Sequence, residues 1–153
     1  MLFRSKGHAA FKNPTEIDVD GKSYLAKNFV IASGGHTEVP DIKGLSKALL
    51  TTDDILDMQK VPASVLIYGA ETIEVEMATL LNTFGSKVYL ATDNRHVLPD
   101  EDQDSGQRLG QALNNDGIEV ITRSTLAFVK GSKKKFTCEL AGKKKSRTVE
   151  VER

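Results

Sequence analysis

Residues 64–74 read SVLIYGAETIE: Gly69 closes an apolar run, and two glutamates, Glu71 and Glu74, stand two and five residues after it. A strand that turns tightly into a helix at a G-x-G-x-x-G spacing cradles a pyrophosphate, because the helix N-terminus offers unpaired backbone N–H groups to the anion. The first glycine makes the turn, the second lets the phosphates approach the backbone, and the third lets helix and strand pack closely. Gly69, Glu71 and Glu74 occupy those three places, so the turn is kept and carboxylates replace the other two glycines. A carboxylate about 5 Å from a phosphate repels it by roughly 3 kcal/mol at an effective dielectric near 20. Two at i and i+3 share a helix face and would lower affinity by several powers of ten. The same acids have a purely structural use, since each favours the helix dipole by about 0.3–1 kcal/mol in a first turn. With Asp93 they also suggest a divalent-cation site, but hard cations take six or more oxygens and the spacing guarantees no such cage, so no metal is assigned.

Elsewhere the reactive side chains are scattered. His8, His36 and His96 lack zinc-ligand spacing, no Ser, His, Asp arrangement is legible, and no catalytic residue is assigned. Cys138 is the single cysteine, which excludes an internal disulfide or dithiol, and its setting in KFTCEL predicts a buried strand position. DEDQD, residues 100–104, lacks the glycine and terminal glutamate of a calcium loop and reads as the acidic start of a helix. Lys+Arg 21 against Asp+Glu 21 argues against nucleic acid or an anionic membrane as partner. The basic stretches KGSKKK and GKKKSR read as solvated hairpin tips. MLFRSKGHAAF is too short and interrupted for a signal peptide, and no stretch approaches membrane-span length, so a cytoplasmic location is expected.

The elements that position the Gly69 turn follow from periodicity. TEIDVDGKSYLAKNFVIASGG alternates on both sides of Asp20-Gly21 and predicts a hairpin whose second arm becomes apolar at Phe29, Val30 and Ile31. Residues 34–52 have no sustained period and read as a connection; TTDDILDMQ follows as a short helix with Thr52 as N-cap. SVLIYG is a strand suited to burial on both faces, and Ile73, Met77, Leu80, Leu81 and Phe84 recur at helical spacing until Gly85. KVYLAT, a helix with Leu109 and Leu113 inward and ended by Gly117, and IEVIT extend the alternation. This βαβ pattern predicts a parallel sheet. TLAFVKG, KFTCEL and TVEVE then predict an antiparallel meander, giving an α/β, Rossmann-like fold.

The chain resembles the glutathione reductase, dihydrolipoamide dehydrogenase and mercuric reductase family, the pyridine nucleotide-disulfide oxidoreductases. GHAAF (7–11) resembles the family's G-x-A-x-F strand, NFVIASGG (28–35) its I-V-I-A-T-G segment, and VPDIKGL (39–45) its P-x-I-P-G-L linker. SVLIYGAETIEVEMATLLNTFGSKVYL is similar to its V-G-A-G-Y-I-A-V-E-M-A stretch and G-S-K strand, and RHVLPDEDQD to R-I-L-P-x-x-D-x-D.

The resemblance implies an FAD/NAD(P)-binding fold. Residues 1–35 correspond to the tail of the FAD-domain segment, 36–47 to a linker, and 48–153 to the NAD(P)H-binding domain without its last strand. In the intact flavoenzyme such a domain presents NAD(P)H to FAD for hydride transfer. The flavin fingerprint, redox cysteine pair and dimerisation domain are expected on segments outside this chain. Residue by residue, it implies Gly69 at the turn, Ala70 beside the pyrophosphate, Glu71 in place of the glycine of close approach, and Thr72 and Ile73 near the nicotinamide. Glu76 matches a glutamate near nicotinamide and flavin, and Leu126 an apolar cover for the adenine. The ribose acid aligns with Thr92, followed by Asp93; an acid there and only Arg95 nearby favour NAD(H) over NADP(H). Two outcomes stay open: a domain that binds dinucleotide as part of a larger flavoenzyme, or one that has lost it and serves as a scaffold or self-associating homo-oligomer.

Overall fold

The computed structural model describes residues 4–143 and 145–153. The chain divides into two compact units, Met1–Thr37 and Glu38–Arg153.

In the first unit, β1 (Ala9–Asn13), β2 (Glu16–Val19) and β3 (Lys22–Leu25) form an antiparallel sheet in that order. Asp20 and Gly21 both take positive φ, 50° and 84°, which is the two-residue turn whose twist matches a hairpin. Lys12 Nζ lies 3.1 Å from Asp18 and 3.7 Å from Glu16 across β1 and β2. The second arm of the hairpin is shorter than its sequence suggests. It ends at Leu25, and Phe29–Ile31 is not a strand, because among the described residues no segment pairs with its backbone groups. Val30 and Ile31 are left 91% and 77% exposed, while Phe29 packs edge-on against Phe11 with ring centres 5.2 Å apart.

The second unit has three layers. Its central sheet is parallel, with β4 (Ser64–Tyr68), β5 (Lys87–Ala91) and β6 (Glu119–Ile121) in sequence order. Helices α2 (Thr72–Thr83) and α3 (Gln103–Asn115) connect these strands. The meander of β7 (Ser124–Ser132), β8 (Lys135–Gly142) and β9 (Ser146–Val151) forms the third layer. Side chains alternate across a strand, and β5 uses both sides. Val88 and Leu90 join Ala78, Leu81, Leu113 and Ile118 in the core shared with the helices, whereas Tyr89 and Ala91 join Leu126, Phe136 and Leu140 in the core shared with the meander. An unbroken apolar strand is what burial on two faces requires.

Both crossover helices end in the same way. Gly85 and Gly117 take φ 91° and 92°, Gly85 N–H donates to Asn82 O and Ser86 N–H to Leu81 O, and the Gly117 and Ile118 amides repeat the pattern on Asn114 and Leu113. This double bond satisfies the last carbonyls and needs a residue tolerant of left-handed backbone. The inward face of α2 keeps the predicted Leu81 but is turned away from Ile73 and Phe84. Ala78 and Leu81 are buried with Val75 packed beside them, while Ile73 and Phe84 are 42% and 62% exposed. At 3.6 residues per turn those two fall roughly 120–140° round the helix from Ala78, and a small residue at the centre of the stripe lets the helix lie close to the sheet.

Two local boundaries also shift. The short helix α1 (Thr52–Asp57) is capped by Thr51, whose side chain accepts the Asp54 N–H while Asp54 accepts the Thr51 N–H, so Thr52 is its first residue and not its cap. Within the stretch read as a linker, Ile42 and Leu45 pack on the meander core and the Lys43 carbonyl accepts the Val129 N–H at 2.9 Å. At the far edge of the parallel sheet, Leu66 N–H donates to Arg153 O and Arg153 N–H to Ser64 O, at 2.9 and 3.1 Å. That is the alternation of a parallel pairing on the β4 edge away from β5. Among the described residues no helix is long and apolar enough to cross a membrane.

Candidate functional site

Ligands of open parallel sheets bind outside the carboxyl ends of the strands, where the loops are held by the sheet and free on one side. Here those ends carry the turn after β4, residues 69–71, and the loop after β5, residues 92–102. The two are stitched together. Gly69 N–H donates to Ala91 O at 2.9 Å, and Leu98 N–H donates to Ala70 O at 2.6 Å. Leu98 reaches that bond with φ 52°, an unusual conformation for a γ-branched residue, and such positions persist only where surrounding contacts over-determine them. Between the loops lies a cleft of about 340 Å³, lined by Glu71, Thr72, Ile73, Leu98, Pro99, Asp100 and Glu101.

Of the residues singled out from sequence, the structure brings Glu71, Thr72 and Ile73 together on one wall of this cleft. Gly69 and Ala70 form the turn beneath them, Ala70 being 1% exposed. Glu76 is exposed further along α2, and Asp93 is exposed just after β5; neither lines the cleft. Leu126 is buried, 5% exposed, in the core between the sheet and the meander. Thr92 is almost wholly buried and its hydroxyl accepts the Asn94 N–H at 3.2 Å, so it serves the loop. The opposite wall, residues 98–101, carries no mark of a ligand site in its sequence. Its acids carry the signature of a helix start, which Asp102 confirms by capping α3 through the Ser105 N–H at 3.0 Å. That bond holds the Asp102 carboxyl below its ordinary range. The Leu98–Ala70 bond folds the stretch against the turn.

The cleft combines apolar surface from Ile73, Leu98 and Pro99 with three carboxylates, and none of its lining residues is cationic. The loop itself is also engaged. Glu71 is the N-cap of α2, and its N–H donates to the Glu74 carboxylate at 3.0 Å. A Cβ added to Gly69, whose φ is 133°, would meet Glu74 Cγ at 2.7 Å and Cδ at 2.9 Å, so the Glu74 side chain lies in the space that this glycine opens. A pyrophosphate needs free amides and a close backbone approach at this place. Strand, tight turn and helix are a frame in which dinucleotides are generally held, but the loop residues in this arrangement do not fit the phosphates. Among the described residues no group of three or more His, Cys, Asp or Glu is placed to hold a metal ion.

The layers and the turn after β4 define a Rossmann-like α/β protein carrying a meander. The model for pyridine nucleotide-disulphide oxidoreductases matches residues 3–152, and the chain belongs to that family. It is 34% identical over 142 residues to a dihydrolipoyl dehydrogenase of Acholeplasma laidlawii, covering 90% of this chain and 42% of that one. It is 33% identical over 150 residues to a mercuric reductase of Bacillus cereus, covering 96% of this chain and 24% of the other. The chain thus spans less than half the length of these relatives. Among solved structures, a Cu(II) complex of a variant of the HOCl-induced flavoprotein disulfide reductase RclA from Escherichia coli aligns over 95% of this chain and 34% of its own. The TM-score is 0.71 at 21% identity, a likeness of fold.

Proposed function

We propose that the chain is the nicotinamide-dinucleotide side of a flavin-dependent disulfide oxidoreductase of dihydrolipoamide dehydrogenase type, with NAD(H) preferred over NADP(H). The observation that carries this reading is the turn at Gly69, pinned to Ala91 and opening α2 at the carboxyl end of a parallel sheet. The cofactor preference rests on charge. Asp93 follows β5 where a ribose hydroxyl would be read, and an acid there repels a 2'-phosphate. The flavin and the dithiol would come from segments of the enzyme outside this chain.

The test is a titration of the 153-residue protein with NADH and with NADPH, followed through backbone amide NMR shifts. We expect changes confined to Gly69–Glu76 and the Asp93 loop at millimolar ligand, larger for NADH. Absence of any change with either ligand at millimolar concentration, in the folded wild-type chain and in a folded Glu74→Ala variant alike, would overturn the reading. A second reading, self-association without cofactor, is favoured by one specific observation, the exposed Leu25, Val30 and Ile31 of the first unit.

A further inference from the structure

The two glutamates of the loop are not equivalent in three dimensions. Glu71 lines the cleft with its side chain exposed. Glu74 is half-buried and folds back toward the start of its own helix, where two separate contacts define its position. Its carboxylate accepts the Glu71 N–H at 3.0 Å, and its stem fills the space beside the Gly69 backbone. The first contact takes an amide that an incoming anion would use. The second takes room that only a glycine leaves open. A negatively charged group hydrogen-bonded to a helix N-terminal amide is also what the helix dipole favours.

On the reading of this frame as a dinucleotide site, we propose that Glu74 is a built-in stand-in for a ligand phosphate, and that a pyrophosphate binds only after displacing it. The loop exists in a closed form, with Glu74 on the Glu71 amide, and an open form in which the side chain has swung out. Apparent affinity is the intrinsic affinity reduced by the open fraction, so a loop open in about one molecule in ten binds about tenfold more weakly than one that is always open. Glu74 is therefore an affinity-setting residue of the loop.

Occupancy and charge are separated by two substitutions. Glu74→Gln removes the charge but keeps a carbonyl oxygen able to accept the Glu71 N–H, whereas Glu74→Ala removes the occupant. NADH dissociation constants of the wild-type chain and both variants would be measured by calorimetry, with amide spectra to verify folding. We expect Glu74→Ala to bind at least about tenfold more tightly than wild type, with Glu74→Gln between the two, because it loses the charge but keeps an occupant on the Glu71 N–H. Equal tightening by Gln and Ala would overturn the proposal in favour of charge alone. Unchanged affinity in both variants, with wild type binding, would overturn it while leaving the dinucleotide reading intact. No binding by any of the three folded proteins would remove that reading, and the proposal with it. Hydrogen exchange of the Glu71 amide in the ligand-free wild-type chain gives a readout that needs no variant. Protection is expected, and exchange at the rate of an unbonded amide would overturn the proposal even if Glu74→Ala did not fold.

Discussion

At the scale of single residues, environment decides what each reactive group can do. Cys138 shows this most directly. Its side chain lies between the meander and the parallel sheet, 4% exposed, and burial pushes the thiol up to about 11 from an ordinary 9.0. The thiolate is the nucleophile, so at neutral pH Cys138 is inert in the folded protein. A thiol reagent at pH 8 is expected to leave the native chain unmodified for hours and to label it fully in denaturant; rapid native labelling would show that this core opens. The sign of the pH effect follows from the raised value. The folded state holds the proton more tightly than the unfolded one, so this contribution to stability is complete below pH 9 and is lost as pH rises toward 11. Asp102 has the opposite sign: its carboxyl is held low by the Ser105 N–H, so its contribution is present at neutral pH and lost as acid protonates it.

Among the elements, β7 shows how one residue of register reassigns a face. Leu126 and Val129 are three apart, yet both are buried in the meander core. Strict alternation forbids that, and the register shift between Leu126 and Phe128 supplies the extra residue that permits it. Helix α2 makes the complementary case, because its buried stripe is centred on a residue chosen for smallness. Ala78 is 0% exposed against β4 and β5, whereas Phe84, the bulkier apolar residue, is 62% exposed. We expect Ala78→Leu to destabilise the protein by about 1–3 kcal/mol through overpacking, and Phe84→Ser to change stability by no more than about 0.5 kcal/mol. Urea unfolding followed by circular dichroism would decide it, since the two substitutions rank oppositely if the helix presents the face that hydrophobicity alone suggests.

For the whole molecule, the two units differ in how they hold together. Glu38–Arg153 has two cores, one on each side of its parallel sheet, whereas Met1–Thr37 has no fully buried residue among those described and leaves Leu25, Val30 and Ile31 open to solvent. Exposed apolar groups that lie together mark association surfaces. The protein is therefore expected to self-associate with rising concentration, and Val30→Asp with Ile31→Asp to return it to monomer. Sedimentation velocity across a hundredfold range of concentration tests this, and a monomer throughout would assign no such role to the segment.

Several features of this protein are properties of local sequence. Strand and helix periods, the Asp20-Gly21 turn, the glycines that end α2 and α3, and the parallel-then-antiparallel order all follow from spacing and backbone preference, which act over a few residues. The family was legible for the same reason, since its landmarks occur in order along the chain. Other features are decided by contacts between segments distant in sequence. That residues 29–31 find no strand partner among the described residues, that Leu126 belongs to the core, and that residues 98–101 form a wall of the cleft each depend on such packing. The distinction between Glu71 and Glu74 is of a third kind. Both were legible as acids in a phosphate loop, but a side chain's direction is set by the three-dimensional turn. Only that turn places Glu74 against Gly69 and on the Glu71 amide, while Glu71 faces the cleft.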